Sequence, residues 1–238
     1  MKTLFATVAG NLFLFFGSLL FGSLSILTAW IPPHGNWVYR MARYWSRGVL
    51  GFSGVKVRLD SSSDLEAEQC FVFMSNHQSL YDIPALITTL PGQARFLAKR
   101  SLFRIPIFGW ALRAGDFVSI DRKDRSRASE SFSNAVDRLR SGASAVVFPE
   151  GTRSLDGQLL PFERGGLLLA IKSGVPIVPV GIRGSIEIRR RDSWVIRPGT
   201  IRVRYGPPIA VQEYGIRGRG ELEDEVRRQI SRLAGLQV

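Results

Sequence analysis

Residues 70–90 read CFVFMSNHQSLYDIPALITTL, and this stretch decides the fold. Cys70–Met74 is an unbroken apolar run of strand length, the pattern of a buried strand. Ile83–Leu90 reads as a short helix that stops at Pro91-Gly92. Between them stand Ser75, Asn76, His77, Gln78, Ser79, Leu80, Tyr81 and Asp82. A buried strand that runs through a polar turn into a helix is a unit of an α/β sheet. Strand ends in such sheets are where ligands and chemistry collect.

The same alternation extends outward. Upstream, Val55–Leu59 alternates apolar and basic residues, which predicts an edge strand. Downstream, short apolar runs predict strands at 94–98, 117–120, 145–148, 176–182 and 201–205. Helical spacing is found at 126–140, 165–172 and 219–234. In the first of these, Ala128, Phe132, Ala135, Val136 and Leu139 share a face, and Gly142 stops the helix. No internal repeat and no low-complexity linker interrupts the series. One globular unit over residues 51–238 follows, of α/β layered class.

Residues 1–50 have another character. From Thr3 to Ile31 there are 29 consecutive residues without a charge. About 20 apolar residues suffice to cross a bilayer core. The run therefore spans with some tilt, or folds as two short helices broken near Gly17 or Gly22. A cleaved leader has an apolar stretch of only roughly 7–15 residues, which disfavours that reading. Trp30, Trp37, Tyr39, Tyr44 and Trp45 suit an interfacial aromatic belt, and Arg40, Arg43 and Arg47 lie among them. The charge bias places the body of the protein in the cytoplasm, against the inner membrane. Residues 36–50 read as an amphipathic helix at the membrane surface.

Composition sets wider bounds. Of 238 residues 45% are hydrophobic and 22% charged, a globular composition. The formal net charge is +12, and Arg supplies 27 of the 32 basic residues. Such a surface seeks nucleic acid, anionic lipid or phosphorylated small molecules. The arginines are scattered, without aromatic-interleaved strands or a recognition helix, so nucleic acid is not expected. The single Cys70 excludes a disulfide within the chain and sits in an apolar run as an inert thiol.

Two clusters carry candidate chemistry. The first is His77 with Asp82, five residues apart. On a continuous helix they would face away from each other, but a strand–turn–helix lets the turn fold back. Asp82 then accepts from His77, and His77 takes a proton from a substrate hydroxyl. The plain alternative is a structural histidine near a helix-capping Asp. The second cluster is Phe148-Pro149-Glu150-Gly151-Thr152-Arg153. Arg153 offers a planar fork for phosphate, and Glu150 positions Arg153 or a substrate hydroxyl. The plain alternative is a turn with a surface ion pair. Lys99 and Arg122 end two further strands and bring cations to the same edge. His34, the other histidine, reads as a solvated loop residue.

Asn76 to Asp82 resembles the His-x4-Asp block of glycerolipid acyltransferases. Gly115–Arg122, Phe148–Ser154 and Val175–Val180 resemble the second, third and fourth blocks, in order. Lys99 to Trp110 resembles the linking segment of bacterial 1-acyl-sn-glycerol-3-phosphate acyltransferases. The resemblance implies a mixed sheet flanked by helices behind a hydrophobic helix or two-helix motif. It implies His77 as general base and Asp82 as its orienter. It also implies direct attack on the thioester of acyl-CoA or acyl carrier protein, with no metal and no cofactor. Asn76, Lys99, Arg122, Glu150, Gly151, Thr152, Arg153 and Pro176 are the implied substrate-binding residues. The expected partners are the lipid bilayer, the acyl donor and a lysophospholipid acceptor. The expected product is phosphatidate.

One departure affects the acceptor. Many relatives carry a Phe-Lys-Lys-Gly run after the third block; here Phe162-Glu163-Arg164-Gly165 reverses one charge. Glycerol-3-phosphate, a lyso-ornithine lipid or another lysophospholipid stays open as acceptor. A membrane-tethered binder of anionic lipid or nucleic acid is the reading from another class. A serine hydrolase lacks its Gly-x-Ser-x-Gly elbow here.

Overall fold

The computed structural model of the chain describes residues 1–31, 36–60, 65–66, 69–120 and 125–236, apart from the side chains of 119–120 and 125–129. His34 and Arg122 lie outside the described residues. In chain order the elements are α1 (Lys2–Thr28), α2 (Asn36–Phe52), β1 (Val55–Leu59), β2 (Val72–Ser75), α3 (Asp82–Thr89) and β3 (Ala94–Lys99). Then follow α4 (Phe108–Ala114), β4 (Val118–Ile120), α5 (Arg125–Arg140), β5 (Ser144–Val147), α6 (Arg164–Ser173), β6 (Ile177–Arg183), α7 (Ser185–Ile188), β7 (Gly199–Tyr205) and α8 (Arg219–Ala234). Two 3-10 turns, Arg100–Arg104 and Val211–Glu213, complete the elements among the described residues.

The seven strands form one mixed sheet in the order β1-β7-β6-β2-β5-β3-β4. β4, β3, β5, β2 and β6 run parallel, and β7 is antiparallel to β6. β2 is the middle strand, and its four residues are all buried. That explains its unbroken apolar sequence: strands covered on both faces have no polar side. β1 is the edge strand its alternation predicted.

Each face of the sheet carries its own core. One packs Phe71, Phe73, Val178 and Val180 with Tyr81 and Leu86 of the α3 region and with Ala6, Val49 and Leu50. The other packs Val72, Met74, Val147 and Ile177 against α5, α6 and α8. The first helix pair therefore shares the core of the sheet. α2 turns Val38, Tyr39, Ser46, Val49 and Leu50 inward, and Trp45 Nε1 donates to Ser18 Oγ of α1 at 3.1 Å. Much of its apolar face is thus spent on protein rather than on a membrane surface.

α1 is one unbroken helix of 27 residues. Gly17 and Gly22, where a break was one expectation, stay helical. Gly22 faces Ile107 and Ala111, and Gly10 faces Ser53 and Ile196, so small residues mark close contacts with the body. The Phe13 ring lies against Gly48 so closely that a Cβ there would stand 2.1 Å from it. The opposite side of α1 is bare: Leu4, Phe5, Val8, Leu12, Phe15, Phe16, Leu20 and Leu27 are exposed.

Candidate active site

His77 stands just past the end of β2, where the loop after β5 meets it. His77 N–H donates to Glu150 Oε1 at 2.7 Å, and Ser154 N–H donates to the His77 carbonyl at 2.8 Å. The loop thus extends the β2–β5 pairing beyond the strands. The ring stacks on Phe148 at 3.9 Å between centroids and 16° between planes. Its edge is held by Asp82, whose Oδ2 lies 2.9 Å from Nδ1.

Asp82 is fully buried and opens α3. Its Oδ2 also accepts the N–H groups of Gln78 at 2.7 Å and Ser79 at 2.8 Å. An oxygen with two N–H donors on it serves as an acceptor, so the His77 hydrogen sits on Nδ1. Nε2 then carries the lone pair that can take a proton. The turn between residues 77 and 82 brings together two groups that a single helix would separate. The ring remains 15% exposed, open enough to meet a substrate. Asp82 Oδ1 is buried with no partner among the described residues.

The other polar groups of the turn hold it in place. Asn76 exchanges two bonds with the main chain of Ile182, donating at 2.9 Å and accepting at 2.8 Å. It is buried at the sheet edge as a substitute strand partner, which corrects its expected role in substrate binding. Gln78 donates to the Gly157 carbonyl at 2.7 Å, and Ser79 Oγ donates to the Arg189 carbonyl at 2.7 Å. Tyr81 Oη and Ser53 Oγ share a buried bond of 2.6 Å.

Glu150 also differs from expectation. Its Oε1 serves His77 N–H and its Oε2 accepts Leu160 N–H at 2.8 Å. The side chain is buried, so it braces the main chain under the histidine rather than Arg153. Burial pushes its carboxyl up to about 7, against the pull of these two bonds. Gly151 takes the left-handed conformation at φ 66°, which turns the loop out of the strand. Thr152 is exposed on that loop.

Arg153 is half-buried beside Arg191, whose guanidinium donates to the Arg153 carbonyl at 3.1 Å. Burial first, and then Arg191, lowers the pKa of Arg153, while Asp192 and Asp82 act in the opposite sense. Arg189 is close enough to act on Arg153 as well. Among the described residues no carboxylate pairs with Arg153. Like charges gathered beside a proton-accepting histidine form a seat for an anion. Sequence reasoning missed Arg189 and Arg191. Their signal was the run Arg189-Arg190-Arg191, but it lies more than 100 residues from His77 in sequence, and spacing alone cannot bring the two together.

Lys99 ends β3 on the same sheet edge, two strands away from β2, and is exposed. Pro176 does not join the group. It precedes β6, and its carbonyl accepts from Val72 N–H at the start of β2. β2 and β6 are parallel, so Pro176 lies at the opposite edge of the sheet from His77. Among the described residues no three metal-ligating side chains come together.

Comparison with known proteins places this arrangement. The family model described as Acyltransferase matches residues 56–183. A 1-acyl-sn-glycerol-3-phosphate acyltransferase of Pseudomonas aeruginosa is 30% identical over 230 residues, 94% of this chain and 88% of that protein. A chloroplastic protein of the same name from Brassica napus is 37% identical over 162 residues, 67% of this chain and 45% of its own length. The chain spans about half the length of such plant relatives. The crystal structure of the 1-acyl-sn-glycerophosphate (LPA) acyltransferase PlsC from Thermotoga maritima superposes with a TM-score of 0.82. It covers 100% of both chains at 25% identity.

Proposed function

This chain belongs to the acyltransferase family, and from that premise we propose that it acylates the free hydroxyl of 1-acyl-sn-glycerol-3-phosphate to give phosphatidate. One observation carries the reading: a histidine with its Nδ1 held 2.9 Å from a buried Asp82, beside the Arg153–Arg191 cluster. The acceptor phosphate would sit on those guanidiniums, with its hydroxyl at His77 Nε2. Nε2 removes the hydroxyl proton as the oxygen attacks the thioester carbonyl. The new C–O ester bond forms, the C–S bond breaks, and the thiolate leaving group regains the proton from His77. The proton balance closes on His77, so the reaction as proposed draws on no metal or cofactor. Acyl-CoA and acyl carrier protein both present the required thioester.

The site is also near the bare helix. Arg189, which packs on Trp194 at 5.2 Å, reaches Asn11 of α1 at 3.3 Å. α1 is long and apolar enough to cross a membrane. Yet Ala6, Gly10, Phe13, Ser18 and Gly22 pack on the body over most of its length. A helix fastened to one body along its length favours lying in the surface of the bilayer over crossing it. The arginine bias favours the cytoplasmic face of the inner membrane. A lipid acceptor would then reach His77 sideways from the bilayer.

The test is acyl transfer by membranes carrying the protein. They are given labelled acyl-CoA or acyl carrier protein with lysophosphatidate, glycerol-3-phosphate or a neutral lysolipid, beside His77→Ala. Transfer to lysophosphatidate that falls by roughly 10²–10⁴-fold in the variant is the expected result. Transfer only to another acceptor overturns the substrate and keeps the mechanism. Transfer undiminished in His77→Ala overturns the mechanism.

A further inference from the structure

We propose that the segment 189–196, led by Trp194, is a second contact with the lipid bilayer, set beside α1 at the level of the headgroups. The inference rests on the reading that the bare face of α1 lies in a membrane. The segment leaves α7 and returns to β7 along the side of α1. Asn11 Nδ2 donates to the Trp194 carbonyl at 2.9 Å. Thr7 Oγ1 donates to the Ile196 carbonyl at 3.2 Å and accepts from Ile196 N–H at 3.0 Å. Arg189 braces the segment from inside. It is 9% exposed, and its Nε donates to the Ser193 carbonyl at 2.9 Å and its Nη1 to Asn11 Oδ1 at 3.3 Å. Its guanidinium also lies 5.2 Å from the centre of the Trp194 ring. A buried cation thus holds one side of the indole, yet Trp194 is 75% exposed and Val195 beside it 39%. So large an apolar surface, presented by a segment so firmly tied, is placed to meet a partner.

Placement selects the partner. At about 100° per residue, the exposed Leu4, Phe5, Val8, Leu12, Phe15 and Phe16 spread over about 120° around α1. Asn11 lies about 80° from the middle of that stripe. It stands on the flank of the helix, at the margin of the bare face, whereas Gly10, packed on Ser53 and Ile196, points away from that face. A helix lying in the bilayer surface sinks its apolar face roughly 5–10 Å into the boundary of headgroups and acyl chains. Its flanks then stand at the headgroups. Tryptophan collects at that level, with its apolar ring toward the acyl chains and its N–H toward water. One bilayer surface covers the bare face of α1 and Trp194 together, which a soluble partner at Trp194 would not do. The segment also reaches the active site. The Arg189 carbonyl accepts from Ser79 Oγ at 2.7 Å, and Arg191 donates to the Arg153 carbonyl at 3.1 Å. A contact at Trp194 therefore sets the phosphate seat beside the headgroups, where the phosphate of a lipid acceptor already lies.

The test reads depth directly. Cys70→Ser removes the one native cysteine. In that background a nitroxide is attached at Trp194→Cys, Phe15→Cys or Arg228→Cys, one site at a time. Arg228 is exposed on α8, on the other face of the sheet. Each full chain is mixed with phosphatidylcholine vesicles. Collisions of the label with oxygen, which concentrates in the acyl layer, are compared with collisions with a nickel chelate that stays in water. On adding vesicles, position 194 is expected to lose most of its nickel collisions, with an oxygen-to-nickel ratio between those of positions 15 and 228. If position 15 is deep while 194 stays as open to nickel as 228, the proposal is overturned and α1 remains in the membrane. If 15 and 194 both stay open to nickel, the membrane reading of α1 is refuted, and the proposal with it. Shielding of position 194 before vesicles are added also overturns the proposal, because protein then covers the segment. Without any label, Trp194→Ala is expected to lower partition onto the same vesicles roughly tenfold, the equivalent of about 1.4 kcal/mol, and Trp194→Phe to lower it less. A Trp194→Ala chain that partitions like the wild type overturns the proposal even where a labelled chain does not fold.

Discussion

Glu150 has both carboxylate oxygens on main-chain N–H groups, and two predictions follow from that geometry. Burial raises its pKa from the ordinary 4.5 to about 7. A carboxyl raised on folding holds its proton more tightly in the folded chain than in the unfolded one. Its contribution to stability is therefore full below about 4.5 and is lost as pH rises through about 7. Glu150→Gln removes that titration. Between about pH 5 and 8 the melting temperature of the native chain is expected to fall relative to that of the variant. Parallel curves would show that Glu150 does not titrate there. The same variant turns an amide NH2 toward an N–H donor at His77 or Leu160 and shifts the histidine. A kcat lowered by about 10- to 100-fold with an unchanged acceptor KM is expected. A raised KM alone would return Glu150 to the substrate contact suggested by its sequence block. Arg153→Ala has the opposite signature: a KM for the phosphorylated acceptor raised roughly ten- to hundredfold, with kcat little changed. An unchanged KM removes Arg153 from the phosphate seat. His77 and Asp82 were legible in the sequence because five residues of turn bring them together. The partners of Glu150 and Asn76 were not: Ile182, which Asn76 clasps, comes from β6, and Glu150 joins the turn after β2 to Leu160 in its own loop.

The elements show the same division. Strand and helix positions followed from periodicity and punctuation, and β2 needed only a short shift from 70–74 to Val72–Ser75. The order of the strands was not legible, since β2 takes its neighbours from residues 144–147 and 177–183. That order decides which site residues meet. It brings Glu150 to His77, while the parallel run of β2 and β6 leaves Pro176 at the far edge, although both stood in matching blocks. The seven-residue α4 also escaped, because it is short and its Gly109 packs on the Phe103 backbone. Gly181 of β6 tests the packing of elements directly. A Cβ there would stand 2.3 Å from the α8 backbone at Leu233 and Ala234. Backbone cannot swing aside as a side chain does, so Gly181→Ala must push α8 off the sheet. A loss of stability on the order of 1–3 kcal/mol in urea unfolding is expected. Gly181 lies next to Ile182, the residue that Asn76 clasps, so the variant is also expected to lose activity in step with stability. A stable and active Gly181→Ala would mean that α8 is not seated where the sheet places it.

Across the whole molecule the two faces of α1 separate stability from location. The inner face, with Ala6, Gly10, Gly17, Gly22 and Ser25, is buried in the protein. The outer face carries Phe15 and Phe16, 62% and 60% exposed, and Leu20 at 56%. An apolar stripe this long is costly to leave in water, and it adds nothing to the packing of the domain. Composition alone could not distinguish these faces, because glycine, leucine and phenylalanine are all uncharged and the whole run reads as apolar. Phe15→Ser/Phe16→Ser/Leu20→Ser is therefore expected to leave the melting temperature within a few degrees of the native value. The same change is expected to move the protein from the membrane fraction toward the soluble one. Fully burying each such side chain is worth roughly 1.5–3 kcal/mol, so three together outweigh a modest surface attachment. Gly10→Leu makes the converse change: its side chain would strike Ser53 and Ile196. It is expected to lower the melting temperature and to leave partition into membranes largely intact. A triple variant that melts much earlier would mean that the outer face packs on protein. One that stays wholly in the membrane would mean that another surface holds the domain there.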